Sequence, residues 1–209
     1  MKLFQDNEAI NNLIIIEGII GCGKTTLGRL LQSRIPNCIF IEEQIDFDLL
    51  RQFLNDMKRY AYAFELSAIF RRYEGYLRAI SLCNQGYTVI MERSLLGDIA
   101  FVQTQYELGN LTEEDFQMLL YIFEKYGQNI PSPKKILYLD VDINVAMERI
   151  QKRDRQGEDS YQKNYQQVLV KHYQNVIRKQ SRVMHLDWSQ NFEDLNSIPT
   201  DDLQKQLFN

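Results

Sequence analysis

Five short apolar runs recur along the chain, at Leu13 to Ile16, Cys38 to Ile41, Tyr87 to Met91, Lys135 to Leu139 and Val183 to Leu186. They are rich in isoleucine, valine and leucine and lack strict alternation, which predicts strands buried on both faces of a parallel sheet. The stretches between them are long enough to serve as helical crossovers, so the alternation predicts a doubly wound α/β sheet. In such a sheet a ligand binds outside the carboxyl ends of the strands. From Tyr60 to Cys83 the only glycine is Gly75, and the pattern predicts a helix of about six turns. Phe64, Ala68, Ile69 and Tyr73 share one flank of it. Glu65 and Arg72 lie near each other on a common face, which fits either a solvated surface or a site. There is no internal repeat, low-complexity tract or linker, and Pro131 and Pro133 punctuate the chain before the fourth strand. Residues 1–209 are expected to form a single domain.

Candidate chemistry begins directly after the first run. Gly18-Ile19-Ile20-Gly21-Cys22-Gly23-Lys24-Thr25, with Thr26 next, fits G-x-x-x-x-G-K-[ST] in the strand, turn and helix context that the pattern requires. Its glycines let successive N–H groups point inward, and the helix starting near Lys24 adds its positive dipole end. The stretch predicts a cradle for a polyphosphate. Lys24 would reach the β- and γ-phosphates, and the Thr25 hydroxyl a bridging Mg²⁺.

Charges that follow the other strands should land in the same crevice. Glu92 is expected on the Mg²⁺ side, and Arg93 on an oxygen that gives or accepts a phosphoryl group. One of Glu42 and Glu43 is a candidate general base. Asp140 resembles a magnesium-holding aspartate, but Glu92 is preferred because the arginine-rich segment follows the fourth strand too closely for an ATPase arrangement. Arg149 and Arg153 lie four apart on one helical face with Arg155 just beyond, before a polar stretch containing Gly157. This reads either as a closing lid at about 153–160 or as a solvated basic helix end. Asp187 and Trp188 end the fifth strand, where a loop can approach the adenine of a phosphate donor.

Composition narrows the field. Hydrophobic residues at 44% and charged ones at 25% fit a globular protein, and the net charge of −4 speaks against a general nucleic-acid binder. The N-terminus lacks the pattern of a secretory signal or transit peptide, and no stretch reaches transmembrane length. Cys22, Cys38 and Cys83 are odd in number and scattered, which suggests neither a disulfide framework nor a zinc site. The expected setting is cytoplasmic, with small-molecule partners and neither nucleic acid nor membrane.

The segments I-E-G-x-I-G-x-G-K-T-T (Ile16 to Thr26), E-R-S (Glu92 to Ser94) and R-I-x-x-R-x-R (Arg149 to Arg155), in this order, resemble the deoxynucleoside kinases of the deoxycytidine/deoxyguanosine kinase type. The resemblance spans nearly the whole chain. It implies a P-loop kinase fold, a five-stranded parallel sheet flanked by helices with an arginine-bearing lid, usually in a homodimer. It also implies transfer of the γ-phosphate of ATP, with Mg²⁺, to the 5′-hydroxyl of a deoxynucleoside.

Carried over by position, Glu43 matches the base for that hydroxyl, Arg93 the arginine on the same oxygen and Glu92 a Mg²⁺-linked carboxylate. Arg149, Arg153 and Arg155 match the lid arginines, and Glu158 the lid glutamate on the sugar 3′-hydroxyl. Phe64 matches an aromatic that packs on the base. Arg72 and Asp98 match a pair at its exocyclic edge, which argues against a thymidine-preferring member.

Two departures stand out. Glu65 occupies a position that is glutamine in most of these kinases, and an ionised glutamate offers acceptors only. Guanine presents N1–H and N2–H₂ as adjacent donors, so deoxyguanosine is the expected preference; alternatively Arg72 neutralises Glu65 and the base is read otherwise. Leu54 stands near a frequent tyrosine, so sugar discrimination would rest on Glu158 or Tyr60. The competing readings are a thymidylate-like nucleoside monophosphate kinase, which needs extra basic residues for the acceptor, and a GTP-hydrolysing switch protein, whose N-K-x-D guanine signature is absent.

Overall fold

The computed structural model describes residues 4–127, 130–153, 162–190, 203 and 205–207. Strand β1 (Gln5–Glu17) is central, and Leu13 to Ile16 within it are fully buried. Each such side chain contributes roughly 2 kcal/mol on transfer out of water. Helix α1 (Lys24–Arg34) leads to β2 (Cys38–Ile41), and α2 (Phe47–Asn55) and α3 (Met57–Asn84) to β3 (Thr88–Glu92). Then follow α4 (Leu95–Glu107), α5 (Glu113–Gly127), β4 (Pro131–Asp140), α6 (Ile143–Arg153), α7 (Lys163–Ile177) and β5 (Val183–Asp187).

The sheet is five-stranded in the order β2-β3-β1-β4-β5, and every pairing is parallel. In register, Ile14 lies opposite Ile90 of β3 and Lys135 of β4. Because β1 is followed on one side by β3 and on the other by β4, its carboxyl end opens into a crevice where the chain direction diverges. Helices α2, α3 and α4 begin where a side chain satisfies one of their first N–H groups. Asp46 accepts from Leu49 N at 3.0 Å, Asp56 from Arg59 N at 3.1 Å and Ser94 from Leu96 N at 3.2 Å. Two of these caps, Asp46 and Ser94, thereby start helices at the crevice itself.

All five expected strands form, but two extend further than the apolar runs. β1 starts at Gln5 and β4 at Pro131, and the two pair with register shifts between Gln5 and Ala9 and between Ile10 and Ile14. The prolines fall beside these register shifts, and a bulged pairing is a place where a strand tolerates a missing N–H. All three cysteines are free. Among the described residues no helix is long and apolar enough to cross a membrane.

Candidate active site

The glycine-rich loop leaves β1 at Glu17 and enters α1 at Lys24. Gly21 and Gly23 have φ of 79° and 95°, the left-handed region that favours glycine. A Cβ on Gly23 would also stand 2.9 Å from Nε1 of Trp188, so the end of β5 packs directly against the loop. Lys24 is buried, and its Nζ donates to Ile19 O at 2.9 Å and to Gly18 O at 3.4 Å. Cys22 is fully buried under the loop, with its Sγ 3.6 Å from the same Nζ. From the far side, Gln166 of α7 donates to Ile20 O at 2.9 Å and Arg149 of α6 to Cys22 O at 3.1 Å. The Thr25 hydroxyl donates to both oxygens of Glu92, at 2.9 and 3.1 Å. Thus the last residue of β3 and the first turn of α1 meet through oxygen donors alone.

Behind this loop lies a cleft of about 730 Å³, measured with its open mouth. Lys24, Glu43, Glu92 and Arg93 line it together with Phe64 and Glu65. Arg93 has a φ of 63°, a conformation that costs a non-glycine residue roughly 1–3 kcal/mol and so must be held by its surroundings. The holding groups are identifiable. Its N–H donates to Ile16 O at 2.9 Å, its Nη1 to Gly18 O at 2.9 Å and to Tyr173 Oη at 2.5 Å, and its Nε to Glu43 Oε2 at 3.0 Å. The guanidinium also lies 4.8 Å from the Phe101 ring centre.

Glu17 is fully buried. It accepts from Ser94 N at 2.8 Å, from Ser94 Oγ at 2.7 Å and from Tyr173 Oη at 3.1 Å. Burial raises its pKa, against the lowering effect of the Arg93 charge and the Ser94 hydrogen bonds. Glu17, Tyr173 and Gln166 were not among the expected site residues. For Glu17 a signal was present, a carboxylate directly after the apolar run Leu13 to Ile16. Tyr173 and Gln166 carry no comparable mark, because a single polar residue on a helix face is ordinary.

Glu43 and Arg72 form the centre of the cleft's charge. One Arg72 nitrogen pairs with Glu43 and another with Asp98, which is fully buried behind it. Burial alone would raise the Glu43 pKa, but the Arg93, Arg72 and Lys24 charges outweigh it and hold the carboxyl well below the usual range. Glu42, the other candidate base, turns outward to Arg29 at 2.8 Å on the surface. Arg72 is therefore not a surface charge. Its charge also lowers the Glu65 pKa, while the hydrogen bond that Glu65 receives among the described residues comes from Gln105 Nε2 at 3.3 Å. Phe64 stacks on Phe53 with ring centres 4.7 Å apart and 6° between planes. Leu54 sits in the core, and neither it nor Tyr60 is among the described residues that line the cleft.

The remaining expected residues divide. Arg153, at the end of α6, lines the cleft. Arg149 donates to the carbonyls of Trp188 and Gln190 at 2.9 and 2.8 Å as well as to Cys22, tying α6 and the end of β5 to the loop. Asp187 is exposed and accepts from Ser189 N at 3.0 Å, in a separate surface hollow beside Asp140 and Asp142. Arg155 and Glu158, with most of the expected lid at about 153–160, lie outside the described residues.

A parallel sheet, a glycine-rich phosphate loop at its carboxyl edge, and converging lysine, arginine and carboxylate side chains define a P-loop phosphotransferase. The family model for deoxynucleoside kinases matches residues 14–206, and the chain belongs to that family. It is an ATP-dependent kinase of deoxynucleosides. A deoxyguanosine kinase of Dictyostelium discoideum is 32% identical over 198 residues, 90% of this chain and 69% of the relative. A deoxyadenosine kinase of the same organism is 28% identical over 180 residues, 85% of this chain and 72% of that one. Among solved structures, the deoxyadenosine kinase from M. mycoides with bound dATP shares the fold, with a TM-score of 0.80 at 22% identity, covering 92% of this chain and 98% of that one.

Proposed function

We propose that this cleft transfers the γ-phosphate of ATP to the 5′-hydroxyl of a deoxypurine nucleoside, with deoxyguanosine favoured. The observation that carries the reading is the meeting of Glu43 and Arg93 at 3.0 Å, in the one cleft that also contains Lys24 and Glu65. In this reading the loop from Gly18 to Thr26 cradles the triphosphate, and Lys24 answers the charge of its outer phosphates. Arg93 donates to the acceptor oxygen, and Glu43 accepts its proton. Glu43 is a weak base because its pKa is low. That suits phosphoryl transfer, whose loose transition state asks the protein for positioning and electrostatics more than for early proton removal.

Thr25 and Glu92 would hold Mg²⁺. They present oxygens only, and no group of three or more acidic, histidine or cysteine side chains among the described residues forms a full metal cage. Both points fit an ion that shares its ligands with substrate phosphates. When bound, it would offset the charge on the β- and γ-phosphates. Arg149, Arg153 and Arg155 are assigned to the donor side of the lid, Asp187 to the donor's surroundings and Glu158 to the sugar. The same reading carries a single domain, a homodimer, a cytoplasmic setting and no nucleic-acid partner.

For the base, Phe64 supplies the stacking surface and Glu65 the edge. The deoxyguanosine and deoxyadenosine kinases among the relatives support a deoxypurine. In kcat/KM, Glu65→Gln is expected to move the ranking from deoxyguanosine toward deoxyadenosine and deoxycytidine by about tenfold or more; an unchanged ranking would remove Glu65 from the base edge. The test of the whole reading is a radiolabelled-ATP transfer screen over the four deoxynucleosides and their 5′-monophosphates. Turnover of the monophosphates alone would make the enzyme a nucleoside monophosphate kinase. The cleft does contain a further arginine, Arg71, but Asp46 at 3.0 Å already pairs with it.

The Tyr173 hydroxyl contributes only through Arg93 and Glu17. Tyr173→Phe is expected to lower kcat about tenfold with KM for ATP unchanged. A loss under about twofold would mean that Arg93 holds its strained backbone without the hydroxyl.

A further inference from the structure

Glu65 differs from the other acidic side chains of the cleft in what it faces. Only 1% of its surface is exposed, yet the side-chain hydrogen bond it receives among the described residues comes from a neutral amide. That amide has a fixed orientation. Gln105 Oε1 accepts from Asn110 Nδ2 at 2.9 Å, and Gln105 Nε2 donates to Tyr165 Oη at 3.0 Å as well as to Glu65 Oε1 at 3.3 Å. Asn110 is itself anchored, its backbone N–H donating to Gln105 O at 2.9 Å. A reversed Gln105 amide would set its N–H₂ against that of Asn110 and its oxygen against the Glu65 carboxylate.

Glu65 Oε1 thus always receives an N–H. The carbonyl oxygen of a neutral carboxyl is its better acceptor, so Oε1 is the carbonyl of the protonated form and Oε2 carries the proton.

We infer that Glu65 reads the base in both of its protonation states, with Gln105 as the positioning residue that decides which oxygen holds the proton. Ionised, the carboxylate accepts from the adjacent N1–H and N2–H₂ of guanine. Protonated, Oε2–H donates to N1 of adenine or N3 of cytosine while Oε1 accepts from the exocyclic amino group, which is the pattern a glutamine would present. The proton moves between solvent and Oε2, and no other bond changes.

The surroundings balance the two states. Burial raises the Glu65 pKa, Arg72 on the same helix lowers it, the Gln105 hydrogen bond from α4 lowers it, Arg93 after β3 lowers it and Glu43 after β2 raises it, for a value of about 7. Tyr165 of α7 meets the same Gln105 Nε2, and Asp98 of α4 is taken up by Arg72. The inference rests on the assignment of Glu65 to the base edge, and the experiment separates the two.

The measurement is the ratio of kcat/KM for deoxyguanosine to that for deoxyadenosine, from about pH 5.5 to about pH 8.5. Ionisations common to both substrates, including those of Glu43 and ATP, cancel in the ratio. It is expected to rise by at least about tenfold with pH, as kcat/KM for deoxyguanosine climbs and that for deoxyadenosine falls through a common midpoint near neutrality. Glu65→Gln should flatten the ratio on the deoxyadenosine side. Gln105→Leu removes the N–H that favours the ionised form and should move the midpoint upward by about half a unit to one unit; Gln105→Met, nearer in volume, serves if the leucine variant does not fold.

A flat ratio in the wild type, with Glu65→Gln still changing the ranking, overturns the protonation switch but keeps Glu65 at the base. If Glu65→Gln changes neither ranking nor pH profile, the assignment of Glu65 fails as well. A midpoint that stays put in both Gln105 variants removes Gln105 from the device.

Discussion

Arg93→Lys is expected to lower kcat/KM by about a hundredfold or more, although the charge is retained. The guanidinium makes its contacts in several directions at once, with Nε on Glu43 and Nη1 on both Gly18 O and Tyr173 Oη. A lysine ammonium is a single point on a flexible stem and cannot hold the base carboxylate and the loop carbonyl together. In the proposed mechanism two things are lost, the donor to the acceptor oxygen and the fixed position of Glu43. The loss should therefore fall on kcat more than on KM for ATP, because Lys24 and the loop's N–H groups are untouched. Steady-state kinetics with both substrates varied, alongside a thermal melt, decides the matter. A variant within about tenfold of wild type in kcat/KM would show that Arg93 is chiefly a structural counterion.

This arrangement also explains what was legible in the chain. The strands were visible because Leu13 to Ile16 and their partners are apolar on both faces, a pattern that few other structures produce. Glu43, Glu92 and Arg93 were visible because charges at the carboxyl end of a buried strand sit at the mouth of the crevice, but which of them turn inward was not, since Glu42 points outward to Arg29. The polar start of β1 was not, since residues 5–12 owe their strand to pairing with β4 and not to any apolar run. The long-range supports were hidden for a different reason. Tyr173 meets Glu17 across 156 positions and Gln105 meets Glu65 across 40, so no local spacing marks either pair.

Glu65 shows the limit from the other side. Its identity was enough to single it out, and its acceptor-only chemistry was read on the assumption that it is ionised. Burial places that ionisation in balance near neutrality, and only the fold supplies the burial. On the proposed placement of Glu65 at the base edge, the residue type limits which base edges are possible, and the surroundings would determine which of them is presented at a given pH.

Glu43→Gln is expected to reduce kcat about a thousandfold, a larger loss than that from Arg93→Lys. The amide has the shape of the carboxylate but neither its charge nor its full set of acceptors, so the acceptor hydroxyl loses its proton partner. Arg72 and Arg93 lose their shared counterion in the same step, and the two guanidiniums then repel each other across the cleft. Glu43→Asp keeps the charge with a shorter reach and should recover part of the rate.

The pH profile separates Glu43 from Glu65. Because Arg93 and Arg72 hold the Glu43 pKa low, its carboxyl is ionised above that value and is lost as a base only at markedly acidic pH. The Glu65 pKa is raised, so its ionised form is lost as pH falls through neutrality. A limb near neutrality in kcat/KM for deoxyguanosine should therefore persist in Glu43→Asp and vanish in Glu65→Gln. If it vanished instead in Glu43→Asp, the proton would belong to Glu43, and the carboxylate between the two arginines would be a stronger base than its surroundings allow.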